Sequence, residues 1–246
     1  MKVIITRPME QGIKFANVLK KEGDFEPILI PTLELIFKDV NVDLDNYDWL
    51  IFTSPRGVLG LFKNLDESGI KKIKDKKIGV IGIETAKEFK RIFKRDVDVI
   101  PKIYTADNLL EALKEHVKED EKVLIPTTPS TRDILYKNLN ADLMFVYHSK
   151  EPINIKNKLK ELKNIIIKEE NNNKKIILTF TSGLTAKNFF KNSDAELLTL
   201  LKNQYIVSIG PITNHVVEKY GFKGYIPKKY TINGMIEVIK SLKNKK

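Results

Sequence analysis

IFTSPRGV at residues 51–58 and TFTSGLTA at residues 179–186 decide how this chain is read. Each is an apolar run that reaches Thr-Ser and passes into helix-forming residues, the join of a strand to a helix. Thr53 and Thr181 lie 128 positions apart. The same offset returns downstream, where VIGIETAKEF at 80–89 matches SIGPITNHVV at 208–217 and pairs Gly82 with Gly210 and Thr85 with Thr213. A third pair follows, VIPKIYTADNLLEAL at 99–113 and YIPKKYTINGMIEVI at 225–239, with Tyr104 and Tyr230 126 positions apart. Three blocks in one order with so small a drift describe an internal duplication. The chain reads as two similar α/β halves.

Working outward, KVIIT at 2–6, EPILI at 26–30, WLIFT at 49–53, KIGVIG at 77–82, KVLIP at 122–126, IILTFT at 176–181 and YIVSIG at 205–210 are strand candidates. Near-continuous apolar strands between helix-period segments predict parallel sheets covered on both faces. A helix is expected from about Glu10 to Glu22, stopped by Gly23, and a Lys-rich helix over about 153–170, followed by a loop at Asn171, Asn172 and Asn173. KVIITRP at 2–8 has its counterpart in KVLIPTTP at 122–129, so each half carries a leading strand-helix unit. PTLELIF at 31–37 and FVYHSKEP at 145–152 read as extended crossings. With two crossings the leading units are exchanged: the first packs with the C-terminal half, the second with the middle.

Composition narrows the function classes. Of 246 residues, 42% are hydrophobic and 30% charged, an ordinary globular balance. No apolar run of about 18 residues occurs, so no membrane span or membrane partner is expected. The start, MKVIITRPMEQG, turns polar too soon for a signal peptide, and a cytoplasmic location is expected. The absence of cysteine excludes disulfides and thiolate chemistry. The net charge of +11 comes mostly from Lys, mixed with Asp and Glu as in KEHVKEDEK at 114–122; most of it reads as solvated surface. Dispersed Lys and no interleaving of basic with aromatic residues argue against a nucleic-acid partner. Of the five Arg, Arg7, Arg56 and Arg132 fall in loops or helix starts after apolar strands, while Arg91 and Arg95 sit in a helical stretch. SLKNKK at 241–246 reads as a frayed basic end.

Small polar residues gather where strands end and helices begin: Thr6, Thr53, Ser54, Gly82, Thr85, Thr127, Thr128, Thr181, Ser182, Gly183, Gly210 and Thr213. Ligands of open parallel sheets bind beyond the carboxyl ends of the strands. Helix N-termini there offer unpaired N–H groups that suit carboxylates or phosphates. Each such residue taken singly is also a plausible N-cap. No GxGxxG follows a strand, and neither GxxxxGK[ST] nor GxSxG occurs. His116, His148 and His215 show no metal-ligand spacing, so no metal and no cofactor are expected. His116 falls on an apolar stripe with Leu109 and Leu113 and reads as structural; Trp49 reads as a half-buried core residue. Tyr147, at a crossing, is the candidate catalytic residue: a phenol keeps its proton at neutral pH and can give it to a leaving hydroxyl. Tyr104 and Tyr230 read as structural staples ahead of helices begun by Thr105 and Thr231.

ITRP at 5–8, FTSPRGV at 52–58, VIGIETA at 80–86, VYHS at 146–149, FTSG at 180–183 and IGPIT at 209–213 together resemble the uroporphyrinogen-III synthase family, in its order and over nearly the whole chain. The resemblance implies an α/β fold of two similar domains, each a parallel β-sheet flanked by helices, joined by a two-stranded linker. The first domain is then discontinuous, residues 1–34 and 150–246, and the second spans 35–149. It implies a lyase that dehydrates hydroxymethylbilane and closes it, with the last pyrrole ring inverted, to uroporphyrinogen III. By the same resemblance Tyr147 assists departure of the hydroxyl. Thr85 and Thr213 contact substrate, Ser54, Thr181, Ser182 and Gly183 hydrogen-bond its carboxylates, and Arg7 and Arg56 pair with them. FTSG is shorter than some family forms, which leaves open whether Thr181 or Ser182 faces the ligand. The expected partner is hydroxymethylbilane, with a transient hand-over from the preceding pathway enzyme; the protein is expected to be a monomer. The alternative is a non-catalytic two-domain clamp for a small polyanion.

Overall fold

The computed structural model describes residues 1–243; of SLKNKK, residues 244–246 lie outside the described residues, while Ser241–Lys243 close the last helix instead of fraying. The chain divides into two compact units, Met1–Glu34 with Lys150–Lys246, and Leu35–Ser149. In chain order the elements begin with β1 (Lys2–Ile5), α1 (Met9–Lys21), β2 (Glu26–Leu29) and the crossing strand β3 (Glu34–Phe37). The contiguous unit follows: β4 (Trp49–Phe52), α2 (Pro55–Lys63), α3 (Glu67–Lys72), β5 (Lys77–Val80), α4 (Ile83–Phe93), α5 (Ala106–Lys114), β6 (Val123–Thr127), α6 (Ile134–Asn138) and β7 (Ala141–Phe145). The chain returns through β8 (Tyr147–Lys150) and completes α7 (Ile155–Asn171), β9 (Ile177–Phe180), α8 (Gly183–Asn192), α9 (Ala195–Leu201), β10 (Tyr205–Ser208), α10 (Pro211–Lys219) and α11 (Ile232–Lys243).

Strand order is β10-β9-β1-β2 in one four-stranded sheet and β5-β4-β6-β7 in the other, and β3 pairs with β8 in a two-stranded sheet. Within the two larger sheets the paired strands run parallel. The leading strands are exchanged: β1 lies beside β9, and β6 beside β4.

Alternation along each strand explains why these runs are apolar throughout. In the first sheet Ile4, Leu178 and Ile206 face a cluster with Leu162, Ile166, Phe189 and Leu197, while Val3, Ile5, Ile177 and Val207 face the opposite one with Phe15, Leu19, Met235 and Ile239. The second sheet repeats the plan. Leu50, Phe52, Ile78 and Leu124 pack with Val58, Leu61 and Phe89, and Trp49, Ile51, Val123 and Ile125 with Leu109, Leu113 and Leu135. Each such side chain taken from water contributes about 1.5–3 kcal/mol, so helices on both faces follow from the composition of the strands. His116 departs from its expected place: it is exposed beyond the end of α5, while Leu109 and Leu113 are buried.

Trp49 is fully buried rather than half-buried, because its indole Nε1 finds a partner, donating to Glu121 Oε2 at 2.8 Å. Lys77 Nζ donates to the other carboxylate oxygen at 2.7 Å and the Lys118 amide to Oε2 at 3.0 Å. The Lys77 bond, then the Lys118 amide and the indole, hold the Glu121 carboxyl down at about 2 from an ordinary 4.5. A depressed carboxylate stabilises the fold above its unfolded value and loses that contribution as pH falls through the folded one. Glu121→Gln is therefore expected to destabilise the protein by about 1–2 kcal/mol at pH 7. The gap in Tm between wild type and variant is expected to close as pH is lowered from about 4.5 towards 2. A gap that stays constant over that window would contradict this role.

Candidate functional site

Each sheet gathers the residues singled out above at the carboxyl ends of its strands. In the Leu35–Ser149 unit, Ser54 follows β4 in extended conformation, and its hydroxyl caps α2 by accepting from the Gly57 amide at 3.2 Å. Pro55 opens the helix, where a missing N–H costs nothing. Tyr147 is buried, 8% exposed, and its phenol oxygen lies 3.2 Å from Ser54 Oγ, with either atom able to donate. The neighbouring residue fixes this geometry. The Val146 amide donates to Thr127 O at 3.0 Å, and Gly60 lets α2 close on Val146, since a Cβ there would meet Val146 Cγ2 at 2.6 Å. Gly57 plays the same part against β6, where a Cβ would stand 2.3 Å from Pro126 O. Arg56 sits half-buried in the first turn of α2.

Gly82 precedes α4 as an N-cap in extended conformation, with no side chain to accept from the first turn. Gly210 holds the same position before α10. No side chain of the cap residue quenches these two helix starts, although Pro211 brings no N–H to α10 and the Thr85 amide of α4 donates to Gly82 O at 3.1 Å. Thr85 and Thr213 lie within those first turns, but both are buried. Their hydroxyls are not open surface, and any contact of theirs with a ligand runs through the backbone or needs the turn to move.

In the other unit, β1, β9 and β10 bring Arg7, Thr181–Gly183 and Thr213 to one edge. Arg7 is half-buried and its Nη2 donates to Gln11 Oε1 at 3.2 Å. Ser182 caps α8: its hydroxyl accepts from the Thr185 amide and donates to Thr185 Oγ1, both at 3.2 Å. The Ser182 hydroxyl is thereby committed within its own turn. Thr6 and Thr127, named earlier as strand-end candidates, are buried, and the Thr6 hydroxyl donates to Thr179 O at 2.8 Å. That bond joins β1 to β9 and is structural.

Tyr104 and Tyr230 stand beside the starts of α4 and α10. Read from the sequence as structural staples ahead of their helices, they are 55% and 60% exposed. Their rings cover the cap glycines: a Cβ on Gly82 would lie 2.8 Å from Tyr104 Cγ, and one on Gly210 3.3 Å from Tyr230 Cγ.

A pocket of about 520 Å³ opens at the opposite, amino edge of the first sheet, lined among others by Lys2, Glu26, Glu169, Tyr205 and Lys243. Lys174 and Lys175 also line it. Lys2 is paired with Glu26 and Glu169, and Lys243 with Asp24. The carboxyl ends of α7 and α11, with their partial negative charge, end beside it. Among the described residues no group of three His, Cys, Asp or Glu has the placement to hold a metal ion.

Comparison with known proteins places the chain in a family. The family model described as uroporphyrinogen-III synthase HemD matches residues 13–237. A protein of Methanocaldococcus jannaschii described as a candidate uroporphyrinogen-III synthase is 58% identical over 246 residues, covering 100% of both chains. A second, of Methanothermobacter thermautotrophicus and similarly described, is 33% identical over 96% of each chain. Among solved structures, the uroporphyrinogen-III synthetase of Helicobacter pylori superposes over 98% of both chains with a TM-score of 0.69 at 19% identity, a likeness of fold. With a family model spanning most of its length and a relative of 58% identity from end to end, the chain belongs to the uroporphyrinogen-III synthase family.

Proposed function

We propose that this protein is a cyclising hydro-lyase that removes water from hydroxymethylbilane and closes it to uroporphyrinogen III with the last pyrrole ring inverted. The observation that carries the reading is the buried Tyr147 phenol, held 3.2 Å from Ser54 Oγ at the carboxyl edge of its sheet. Tyr147 gives its proton to the departing hydroxyl, which leaves as water. The pyrrole nitrogen pushes its electron pair into the vacancy and forms an azafulvene. The substituted carbon of the last ring attacks that carbon, and a spiro intermediate results. The bond from the substituted carbon to its old bridge then breaks, leaving a second azafulvene at the bridge, and the bridge is captured by the ring's free α-carbon on the other side of its nitrogen, which inverts the ring. The proton released as the ring regains aromaticity returns to the phenolate. Because the pyrrole nitrogen supplies the electron push, the scheme calls for no metal or cofactor.

Most of the protein's task is orientation, which can contribute about 7–11 kcal/mol. The substrate carries acetate and propionate arms, and anions suit the starts of α4 and α10, where Gly82 and Gly210 supply no capping side chain. Thr213 acts there through its backbone amide, while the Thr85 amide already donates to Gly82 O at 3.1 Å, so contact by Thr85 needs the turn to move. The Thr181 hydroxyl, rather than that of Ser182, takes an arm, because Ser182 is committed to its own cap. The Gly183 amide and the Arg7 and Arg56 guanidinium groups receive others. In this reading residues 1–34 with 150–246 and residues 35–149 are the enzyme's two domains. The enzyme works as a cytoplasmic monomer that takes its substrate from the preceding pathway enzyme; no helix among the described residues is long and apolar enough to cross a membrane.

The test is to supply freshly made hydroxymethylbilane and resolve the product isomers. Uroporphyrinogen III is expected at a rate proportional to enzyme. Formation of the type I isomer alone, at the uncatalysed rate, would reject the assignment.

A further inference from the structure

Both halves of the chain keep the same short loop, IPKIYT at 100–105 and IPKKYT at 226–231. In each, the threonine caps the next helix: Thr105 Oγ1 accepts from the Asn108 amide at 3.2 Å, and Thr231 Oγ1 from the Gly234 amide at 3.1 Å. The tyrosine just before such a cap ordinarily folds inward as a hydrophobic staple. Tyr104 and Tyr230 do not; more than half of each lies in solvent. Beside each ring stands the glycine that starts α4 or α10, where an added Cβ would meet the ring's Cγ at 2.8 Å or 3.3 Å. At Gly82 the approach is close enough that any side chain would displace the ring. One side of the ring is thus set against a helix start and the rest is left open. Tyr47 and Tyr147, by contrast, are held through their hydroxyls by Asp142 and Ser54.

We propose that Tyr104 and Tyr230 are stacking faces for the substrate's pyrrole rings, each in its own unit. The inference rests on the hydroxymethylbilane reading. A carboxylate arm received at the α4 or α10 start brings the ring that bears it within reach of the adjoining phenol ring. Pyrroles are flat and electron-rich, and an offset or edge contact with an aromatic ring holds their tilt as well as their position. Carboxylate recognition alone fixes where an arm ends; a stacking face fixes how its ring is turned. These are positioning residues: what they supply is the ring, and the hydroxyl is not required.

The experiment compares Tyr104→Leu and Tyr230→Leu with Tyr104→Phe and Tyr230→Phe, reading kcat, KM, the type III fraction and Tm with freshly made hydroxymethylbilane. The Phe variants are expected to match wild type. Each Leu variant is expected to raise KM about threefold to tenfold and to release more type I product, with Tm kept. Where Leu lowers Tm, Tyr→Met, which still lies over the glycine, carries the same comparison. Leu and Met variants with wild-type KM and isomer ratio would overturn the proposal, as would Phe variants as impaired as Leu, which would assign the effect to the hydroxyl. A wild-type enzyme that forms no type III isomer would instead remove the functional reading beneath it, so the two failures are distinguishable.

Discussion

Tyr147→Phe is expected to lower kcat with hydroxymethylbilane by about 100-fold or more, with KM and Tm close to wild type. The phenyl ring fills the same buried place, so packing is retained. Ser54 still accepts from the Gly57 amide and keeps its cap on α2. What disappears is the phenol proton offered to the departing hydroxyl. The remaining rate is set by the substrate's own tendency to lose water and by the orientation the protein still imposes, so type III product persists at a reduced rate. A kcat within twofold of wild type would remove Tyr147 from the mechanism. A fall in Tm matching the fall in activity would assign it a structural role instead.

Gly57→Ala is expected to destabilise the protein by about 3 kcal/mol, against the usual trend. In an unconstrained helix the same change stabilises by roughly 1 kcal/mol, so the sign itself is diagnostic. A methyl at Gly57 would sit 2.3 Å from Pro126 O. That oxygen belongs to β6, an inner strand pinned by β4 on one side and β7 on the other, and cannot retreat. Helix α2 must lift away, carrying Ser54 from the Tyr147 hydroxyl, so activity falls along with Tm. Gly183→Ala is the internal control. Its nearest neighbour is the side-chain atom Val216 Cγ2 at 3.1 Å, which can give way. Urea unfolding of both variants decides the matter; Gly57→Ala as stable as wild type would show that the α2–β6 contact is slack.

The sheets were readable in the chain because their strands are covered on both faces, which writes burial into consecutive residues. Ile4 and Ile5, for example, face opposite clusters and are both apolar. The duplicated blocks supplied the order in which those strands recur. Individual exposures were harder to read, since they depend on elements distant in sequence. Trp49 is wholly buried because Glu121 arrives to accept its indole proton. Tyr104 is exposed because Gly82, rather than the core, receives its ring. Thr181 and Ser182 look alike as letters. Only the backbone geometry at the start of α8, which makes Ser182 the cap, separates them.

The exchange of leading strands also sets an order of birth on the ribosome. Leu35–Ser149 is a continuous segment with its own sheet and can close as soon as it has emerged. The first strands made wait far longer, because Val3 needs Ile177 beside it and that strand in turn needs Tyr205. At about 5–20 residues per second, β1 stands without β9 for roughly 10–35 s. Through that interval it presents a bare edge, and the Ile4 face, whose partners come mainly from residues 155–222, stays apolar and uncovered, the sticky stage at which a nascent chain is most open to chaperones and to mispairing.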